Sequence, residues 1–371
     1  MITIAAMPNP RTIAVFLPNW VGDVVMATPA LRALRESFPA AQIAYVGREV
    51  AIATLAGLPR EDFAIRDSSR ERPRLRNLLH LRRELRRTKF ELAILLPNSF
   101  RSAMLAKLGG AKRIAGYDRD ARGWLLSDKL QVPRRPDGSF KPAPMIGYYN
   151  ALAAAVGARP DSNGMELAVT ADCESRAQEM FSQAGIDTAR PIVMLNPGAS
   201  FGFSKMWLPE RFAAVADALI QRRGAQIIIN AAPAEKAIAA EVAAAMTHAP
   251  AINFAEHDNT IGLLKSLVRR CRLLITNDTG VRHFGAAFGI GVVTVFGSTD
   301  PLWAEINYER ERIIRVEVPC SPCQSKRCRL RPGPTFHQCM TVITPEMVLA
   351  AAEALLDELP FPEAAGGCDV D

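Results

Sequence analysis

Hydrophobic residues in this chain gather in short runs, and between the runs apolar positions recur at helical spacing. A first series of runs lies at residues 13–17, 43–46 and 92–96, and a second at 192–196, 226–230, 251–254, 272–275 and 291–296. Short apolar runs bounded by turn residues predict buried strands, and the stretches between them are long enough for helices. After the first run Val24, Ala27, Leu31, Leu34 and Phe38 keep helical spacing, with Pro29 either kinking that helix or marking a regular start after Thr28. The third run ends at Pro97, where Asn98 and Ser99 are placed to cap a helix carrying Arg101 and Lys107. A proline-rich passage, PRRPDGSFKPAP at 133–144, reads as a loop between the series. Strands alternating with helices imply parallel sheets with right-handed crossovers, covered on both faces. Each half therefore predicts a doubly wound, Rossmann-like α/β sheet. Ligands are expected beyond the carboxyl ends of the strands, in a cleft between two facing sheets.

Composition adds a size and a charge. With 371 residues, 49% of them apolar, the chain can bury two cores. The expected division is 1–180, 181–343, a final helix over 344–360 and a disordered tail over 361–371. MITIAAMPNPR is too short and too broken by proline for a signal segment, and no run approaches the roughly 20 apolar residues of a membrane span, so a cytoplasmic location is expected. The net charge is +7, and residues 66–89 hold ten Arg or Lys against three Asp or Glu, an excess equal to that of the whole chain. Such a cluster is either a solvated helix face or a platform for an acidic partner, such as anionic lipid or phosphorylated glycan. Nucleic acid is not expected, because only Phe90 lies nearby for base stacking.

Candidate chemistry falls at strand ends. Residues 276–301, TNDTGVRHFGAAFGIGVVTVFGSTDP, read as strand, tight turn, helix and strand. Asp278 and Thr279 can cap the helix, Gly280 lets the backbone approach a ligand, and His283 and Arg282 lie in the first turn, whose outward N–H groups suit phosphate. Gly285, Ala286 and Ala287 leave little bulk between helix and strand. Near the N-terminus, PNWVGDVVMATPALRAL sets Asp23 at a strand-to-helix junction, as a cap or as a general base facing a substrate hydroxyl. No GxGxxG stands there, so a nicotinamide site is not indicated. In NPGASFGFSKMWLP, Gly198 and Gly202 allow backbone amides to meet a phosphate, Ser200 and Ser204 offer hydroxyls, and Lys205 offers a charge, although GxxxxGK[ST] is absent. Glu235 can meet a ribose diol or lie solvated.

Four blocks together, NWVGDVVMATPALRALRESFP, LPNSFRSAMLAKLGGAKRIAGY, NPGASFGFSKMW and NDTGVRHFGAAFGIGVVTVFGSTDP, resemble glycosyltransferase family 9, the ADP-heptose:lipopolysaccharide heptosyltransferases. The LPNSF passage is most similar to the family's type II enzymes. The resemblance spans roughly residues 13–356. It implies a GT-B fold, an acceptor-binding N-terminal domain, a nucleotide-sugar-binding C-terminal domain, and inverting transfer of heptose from ADP-L-glycero-β-D-manno-heptose to the lipopolysaccharide inner core, the second heptose in particular. By the same resemblance Asp23 matches the catalytic base, Lys205 the donor-phosphate lysine, and Asp278, Thr279, Gly280 and His283 the block that holds diphosphate and sugar. Glu235 matches the ribose position loosely, since PAEK departs from the usual small-residue turn. Charge building on the departing ADP would be stabilised by Lys205 and the helix start, with no cofactor required. The implied partners are the ADP-heptose donor, the acidic core acceptor and peripheral contact with the anionic inner membrane.

Of seven cysteines, Cys320, Cys323, Cys328 and Cys339 cluster with His337 beside the last. CxxC followed by further thiols can bind a structural zinc, and packing alone is the alternative. Thr344 and Pro345 open the final helix, which in GT-B proteins can brace the N-terminal domain. Three other function classes share these features: a non-hydrolysing nucleotide-sugar epimerase, a transferase of another nucleotide-activated sugar, and a catalytically dead sugar-binding protein. The presence of both Asp23 and Lys205 speaks against the last.

Overall fold

The computed structural model describes residues 9–359. The N-terminal MITIAAMP and the tail expected to be disordered lie outside the described residues. The chain divides into two compact units, Met1–Ala168 with Leu302–Ile306, and Val169–Pro301 with Asn307–Asp371.

The first unit is built on six parallel strands: β1 (Thr12–Phe16), β2 (Gln42–Gly47), β3 (Phe63–Arg66), β4 (Leu92–Leu95), β5 (Arg113–Tyr117) and β6 (Asp128–Leu130), in the order β3-β2-β1-β4-β5-β6. Side chains alternate across the sheet, so the apolar runs feed two cores. Ile13, Val15, Ile43, Tyr45, Leu92 and Ile94 meet Leu31, Leu34, Tyr149 and Leu152 of the helices Thr28–Ser37 and Met145–Ala155. Ala14, Phe16, Ala44, Val46, Ala93 and Leu95 meet Leu81, Leu85, Ala103 and Leu105 of the helices Arg74–Thr88 and Phe100–Leu108. Each large aliphatic side chain buried this way contributes about 1.5–3 kcal/mol. Pro29 does not kink a single helix: one helix, Val21–Met26, stops at Ala27, and the next begins at Thr28 with proline in its first turn, where its missing N–H costs nothing.

The second unit repeats the plan with β7 (Ile192–Asn196), β8 (Gln226–Ile229), β9 (Ile252–Asn253), β10 (Leu273–Asn277), β11 (Gly291–Val295) and β12 (Glu311–Ile314), in the order β12-β11-β10-β7-β8-β9, all parallel. The helix Gly280–Ala287 lies tight on this sheet, because a Cβ at Gly285 would come within 2.6 Å of Val292 on β11. The final helix, Pro345–Glu358, packs on the helix Pro209–Arg223 and on β11 and β10 of its own unit. It is tied there by Arg223–Asp357 at 2.7 Å and Arg312–Glu358 at 2.6 Å.

Four strands lacked an apolar run: β3, β5, β6 and β12. Three are sheet edges, half-exposed and carrying charge (FAIR, DKL, ERII), and β5 is interrupted by Arg113 and Gly116. Among the described residues no helix is long and apolar enough to cross a membrane.

Candidate active site

In the first unit the strand order reverses between β1 and β4, and ligands of such sheets bind at the carboxyl edge beside that reversal. Beyond β1, Asp23 sits in the first turn of the helix Val21–Met26, whose N-cap is Trp20, so Asp23 is not the capping residue. Its carboxylate is half-exposed, and Oδ1 accepts a hydrogen bond from the hydroxyl of Tyr149 at 3.3 Å. Tyr149 is buried, and burial followed by the neighbouring Asp23 charge pushes its phenol well above the ordinary tyrosine range, so it stays a donor. Sequence reasoning passed over Tyr149. Its only signal was a tyrosine pair opening a helix after the proline-rich loop.

Beyond β4, Arg122 is fully buried and locks the Pro97–Ser99 turn in place. It donates to the carbonyl oxygens of Pro97 at 2.5 Å, Ser99 at 3.1 Å and Tyr117 at 3.0 Å, and to Ser102 Oγ at 3.0 Å. Burial lowers its pKa to about 10, which leaves it charged at neutral pH. Tyr148 donates to Asn98 Oδ1 at 2.9 Å, and Ser99 caps the following helix as expected, accepting from Ser102 N.

The corresponding reversal in the second unit lies between β7 and β10, and its edge is far more polar. The capping expectation for Asp278 and Thr279 is corrected here. Thr279 is the N-cap residue of Gly280–Ala287, but no side chain caps the helix. Thr279 Oγ1 instead accepts from Asn196 Nδ2 at 3.0 Å and lies 3.1 Å from Thr276 Oγ1. The Asp278 carboxylate is taken by Lys205 Nζ at 2.5 Å and Thr299 Oγ1 at 2.6 Å. Burial pushes the Asp278 pKa up, but the Lys205 charge and these hydrogen bonds outweigh it and hold the carboxyl below its usual range. With both side chains engaged elsewhere, the first-turn N–H groups remain free of side-chain caps and carry the helix's partial positive charge.

His283 stands in that first turn, buried, and burial followed by the charge of Arg282 pushes its pKa down to about 3. It is therefore neutral, and its Nδ1 has no hydrogen-bond partner. Arg282 points elsewhere, into a buried pair with Glu311 of β12 (Nη2 to Oε2, 2.7 Å) that Thr294 also joins at 2.6 Å. Lys205 ends the short turn Phe203–Lys205, which follows Gly202 at φ 150°, where a Cβ would strike the Lys326 carbonyl. Ser204 does not offer its hydroxyl to a ligand. It donates to the Ser325 carbonyl and accepts from Ser298. Ser200 donates to Glu235 Oε1 at 3.4 Å across Gly198, so the ends of β7 and β8 bring these two together.

Asparagines at the ends of β7, β8 and β10, together with Asn259, hold this edge. Asn259 donates to Asn230 at 2.7 Å, Asn230 to Asn196 at 2.6 Å, and Asn196 to Thr276 at 2.9 Å as well as to Thr279. Asn277 accepts from Trp207 N at 3.0 Å and donates to the Pro197 carbonyl at 2.7 Å, which fixes the loop bearing Lys205 against β10. Buried amides of this kind are stable only when paired, and Asn196, Asn230 and Asn277 are paired in this way, while Asn259 Oδ1 has no partner.

The zinc expectation for Cys320, Cys323, Cys328 and Cys339 does not find its ligand set: among the described residues no group of three or more His, Cys, Asp or Glu can hold a metal ion. Cys339 is buried, and burial followed by the nearby Cys320, Cys323 and Cys328 raises its thiol to about 11. Other bonds hold the segment. Gln324 N donates to the Ser298 carbonyl, Ser321 Oγ to the Gly297 carbonyl and His337 N to Cys328 Sγ, and the His337 ring stacks on Phe203 at 4.7 Å.

Of the residues singled out from sequence, Asp23 belongs to the first unit, and Ser200, Lys205, Glu235, Asp278, Thr279, Gly280 and His283 line one edge of the second. Together the second set can hold a polyanion: an uncapped helix start, an ammonium already positioned, and a neutral imidazole with an unused nitrogen.

Comparison with known proteins points the same way. The sequence model of glycosyltransferase family 9 (heptosyltransferase) matches residues 78–333. Lipooligosaccharide heptosyltransferase 2 of Campylobacter jejuni is 26% identical over 93% of this chain and 98% of its own length. Among solved structures, a family 9 glycosyltransferase from Veillonella parvula superposes with a TM-score of 0.79 at 24% identity, over 94% of this chain and 98% of that one. The ADP-heptose lipopolysaccharide heptosyltransferase II of Escherichia coli superposes with a TM-score of 0.73 at 25% identity, over 94% and 99%. The fold is GT-B.

Proposed function

The chain belongs to glycosyltransferase family 9, the heptosyltransferases, and from that premise we propose that it adds the second heptose of the lipopolysaccharide inner core, taking it from ADP-L-glycero-β-D-manno-heptose with inversion. The observation that carries the donor half of this reading is the uncapped start of Gly280–Ala287, with Lys205 and the neutral His283 beside it. The diphosphate accepts hydrogen bonds from the first-turn N–H groups and from His283, while Lys205 offsets negative charge as ADP departs. Ser200 and Glu235 hold the ribose diol.

Asp23 is the base. The acceptor hydroxyl attacks the anomeric carbon, the bond from that carbon to the phosphate oxygen breaks, ADP leaves with the electron pair, and the hydroxyl proton passes to the Asp23 carboxylate. Tyr149 holds that carboxylate by the hydrogen bond to Oδ1. The enzyme works on the cytoplasmic side of the inner membrane, where a nucleotide-activated donor is available.

Incubation with ADP-heptose and either a heptose-free or a monoheptosylated core acceptor, followed by mass spectrometry of the glycan, tests the reading. The expected result is one added heptose on the monoheptosylated acceptor alone. Addition to the heptose-free acceptor would assign the first position instead. A sugar nucleotide altered without any acceptor would indicate an epimerase, and transfer only from a different nucleotide sugar would replace the donor.

A further inference from the structure

The helix Arg74–Thr88, RLRNLLHLRRELRRT, has features that its own stability does not explain. Leu81 and Leu85 are its buried residues. On the other side Leu75 and Leu79, one turn apart, are 70% and 52% exposed. Leu75, Leu79, Arg82 and Arg86 follow at intervals that place them in one stripe, and Arg76, Arg83 and Arg87 form the stripe beside it. Arg86 and Arg87 in the last turn complement the helix dipole, but Arg74 and Arg76 in the first turn oppose it. Nearby carboxylates are already engaged: Glu49 and Glu71 with Arg66, and Glu84 with His80. Among the described residues Arg74, Arg76, Arg83 and Arg87 have no ion-pair partner.

We propose that this face docks on an anionic lipid bilayer. Guanidinium groups meet the lipid phosphates, for which their planar fork is suited, and Leu75 and Leu79 enter the boundary between headgroups and acyl chains. A soluble acidic glycan would account for the arginines but would leave both leucines in water. Nucleic acid would call for exposed aromatic rings, and this helix has none. None of the leucines and arginines named here is among the residues given to catalysis and donor binding, so the inference stands or falls separately from the sugar transferred.

Co-sedimentation of the full chain with vesicles tests it. Phosphatidylcholine vesicles containing phosphatidylglycerol should bind the protein at low salt and release it as salt rises well past about 0.15 M, while pure phosphatidylcholine should not bind it. Arg76, Arg83 and Arg87 replaced together by Ser should weaken binding by roughly tenfold or more. Leu75→Ser with Leu79→Ser should also weaken vesicle binding by roughly tenfold, yet leave binding to soluble dextran sulfate unchanged. Both variants should transfer sugar to a water-soluble, deacylated acceptor at the wild-type rate, which shows that they are folded. A wild-type chain that ignores anionic vesicles at low salt overturns the proposal. So does a leucine double variant that binds them as tightly as wild type, since the face would then be a platform for soluble anions.

Discussion

Counted from its own first strand, each unit has the same order, 3-2-1-4-5-6, yet the two carboxyl edges are built differently. The second unit buries Asn196, Asn230, Asn277, Asp278 and His283 at its reversal point; Asn196, Asn230 and Asp278 bond to one another or to Thr276, Thr279, Lys205 and Thr299, and Asn277 bonds to Trp207 N and the Pro197 carbonyl. The first leaves Asp23 half-exposed, with Tyr149 donating to it. Holding a diphosphate calls for donors fixed in advance, and a dense buried network fixes them at a cost in desolvation. A base must instead reach an incoming hydroxyl and stay ionised, which a partly solvated carboxylate does. On the proposed function, one scaffold thus supplies a rigid anion site in one copy and an accessible base in the other.

Asp23→Asn gives the sharpest break in this comparison. Transfer should fall by about 10²–10⁴, while calorimetric affinity for ADP stays at the wild-type value. A variant that transfers at close to the wild-type rate would return Asp23 to a structural role. Asn fits the helix first turn well, so a loss of folding would not explain a loss of rate.

Lys205→Ala tests the other edge and should do two things at once. ADP affinity should drop by roughly 10–100-fold, and chemical denaturation should show a loss of about 3–5 kcal/mol, because the buried Asp278 carboxylate is left without its partner. Adding Asp278→Asn should recover much of the stability but not the ADP affinity. Recovery of both would mean that Lys205 serves the fold alone.

Acid should weaken the second unit before the first. His283 has a folded pKa of about 3, below its value near 6.5 in an unfolded chain. Its contribution is therefore complete above about pH 6.5 and is lost progressively as pH falls toward 3, amounting to several kcal/mol. Asp278 adds a loss at lower pH, through and below the ordinary carboxylate range, because its folded pKa is also depressed. Denaturation measured at pH 7 and pH 4.5 should show the His283 part, and His283→Gln should flatten it. An unchanged slope in that variant would mean that the imidazole is not held neutral.

Tyr149→Phe should have the smallest effect. Removing one hydrogen bond to Asp23 costs about 0.5–1.5 kcal/mol and should slow transfer by roughly 3–10-fold. The pH-rate profile should shift along with it, since the hydrogen bond favours the ionised base. A change in stability alone, with the profile intact, would make Tyr149 a packing residue.

Much of this protein was legible along the chain because strand periodicity is local. Runs such as TIAVF and IVMLN are buried on both faces, and doubly covered parallel strands must be almost wholly apolar. The strand-end residues Asp23, Lys205 and the block from Asp278 to His283 were legible too, because chain order alone puts them where such sheets bind ligands. Edge strands escaped notice because a half-exposed edge tolerates charge, and DKL has no apolar run to find.

Only tertiary structure decided what each polar residue does. Asp278 and Thr279 look like caps in sequence, yet Lys205, 73 residues away, takes the carboxylate, and Asn196, 83 residues away, donates to the hydroxyl. Arg282 and His283 are adjacent, but one turns to Glu311 and the other keeps an unbonded nitrogen. Tyr149, which donates to Asp23, lies 126 residues distant. A hydrophobic pattern is set by which face of an element is covered, and that is written every second or every third to fourth residue. A hydrogen-bond partner is set by which strand ends the sheet order brings side by side, and no local pattern carries that order.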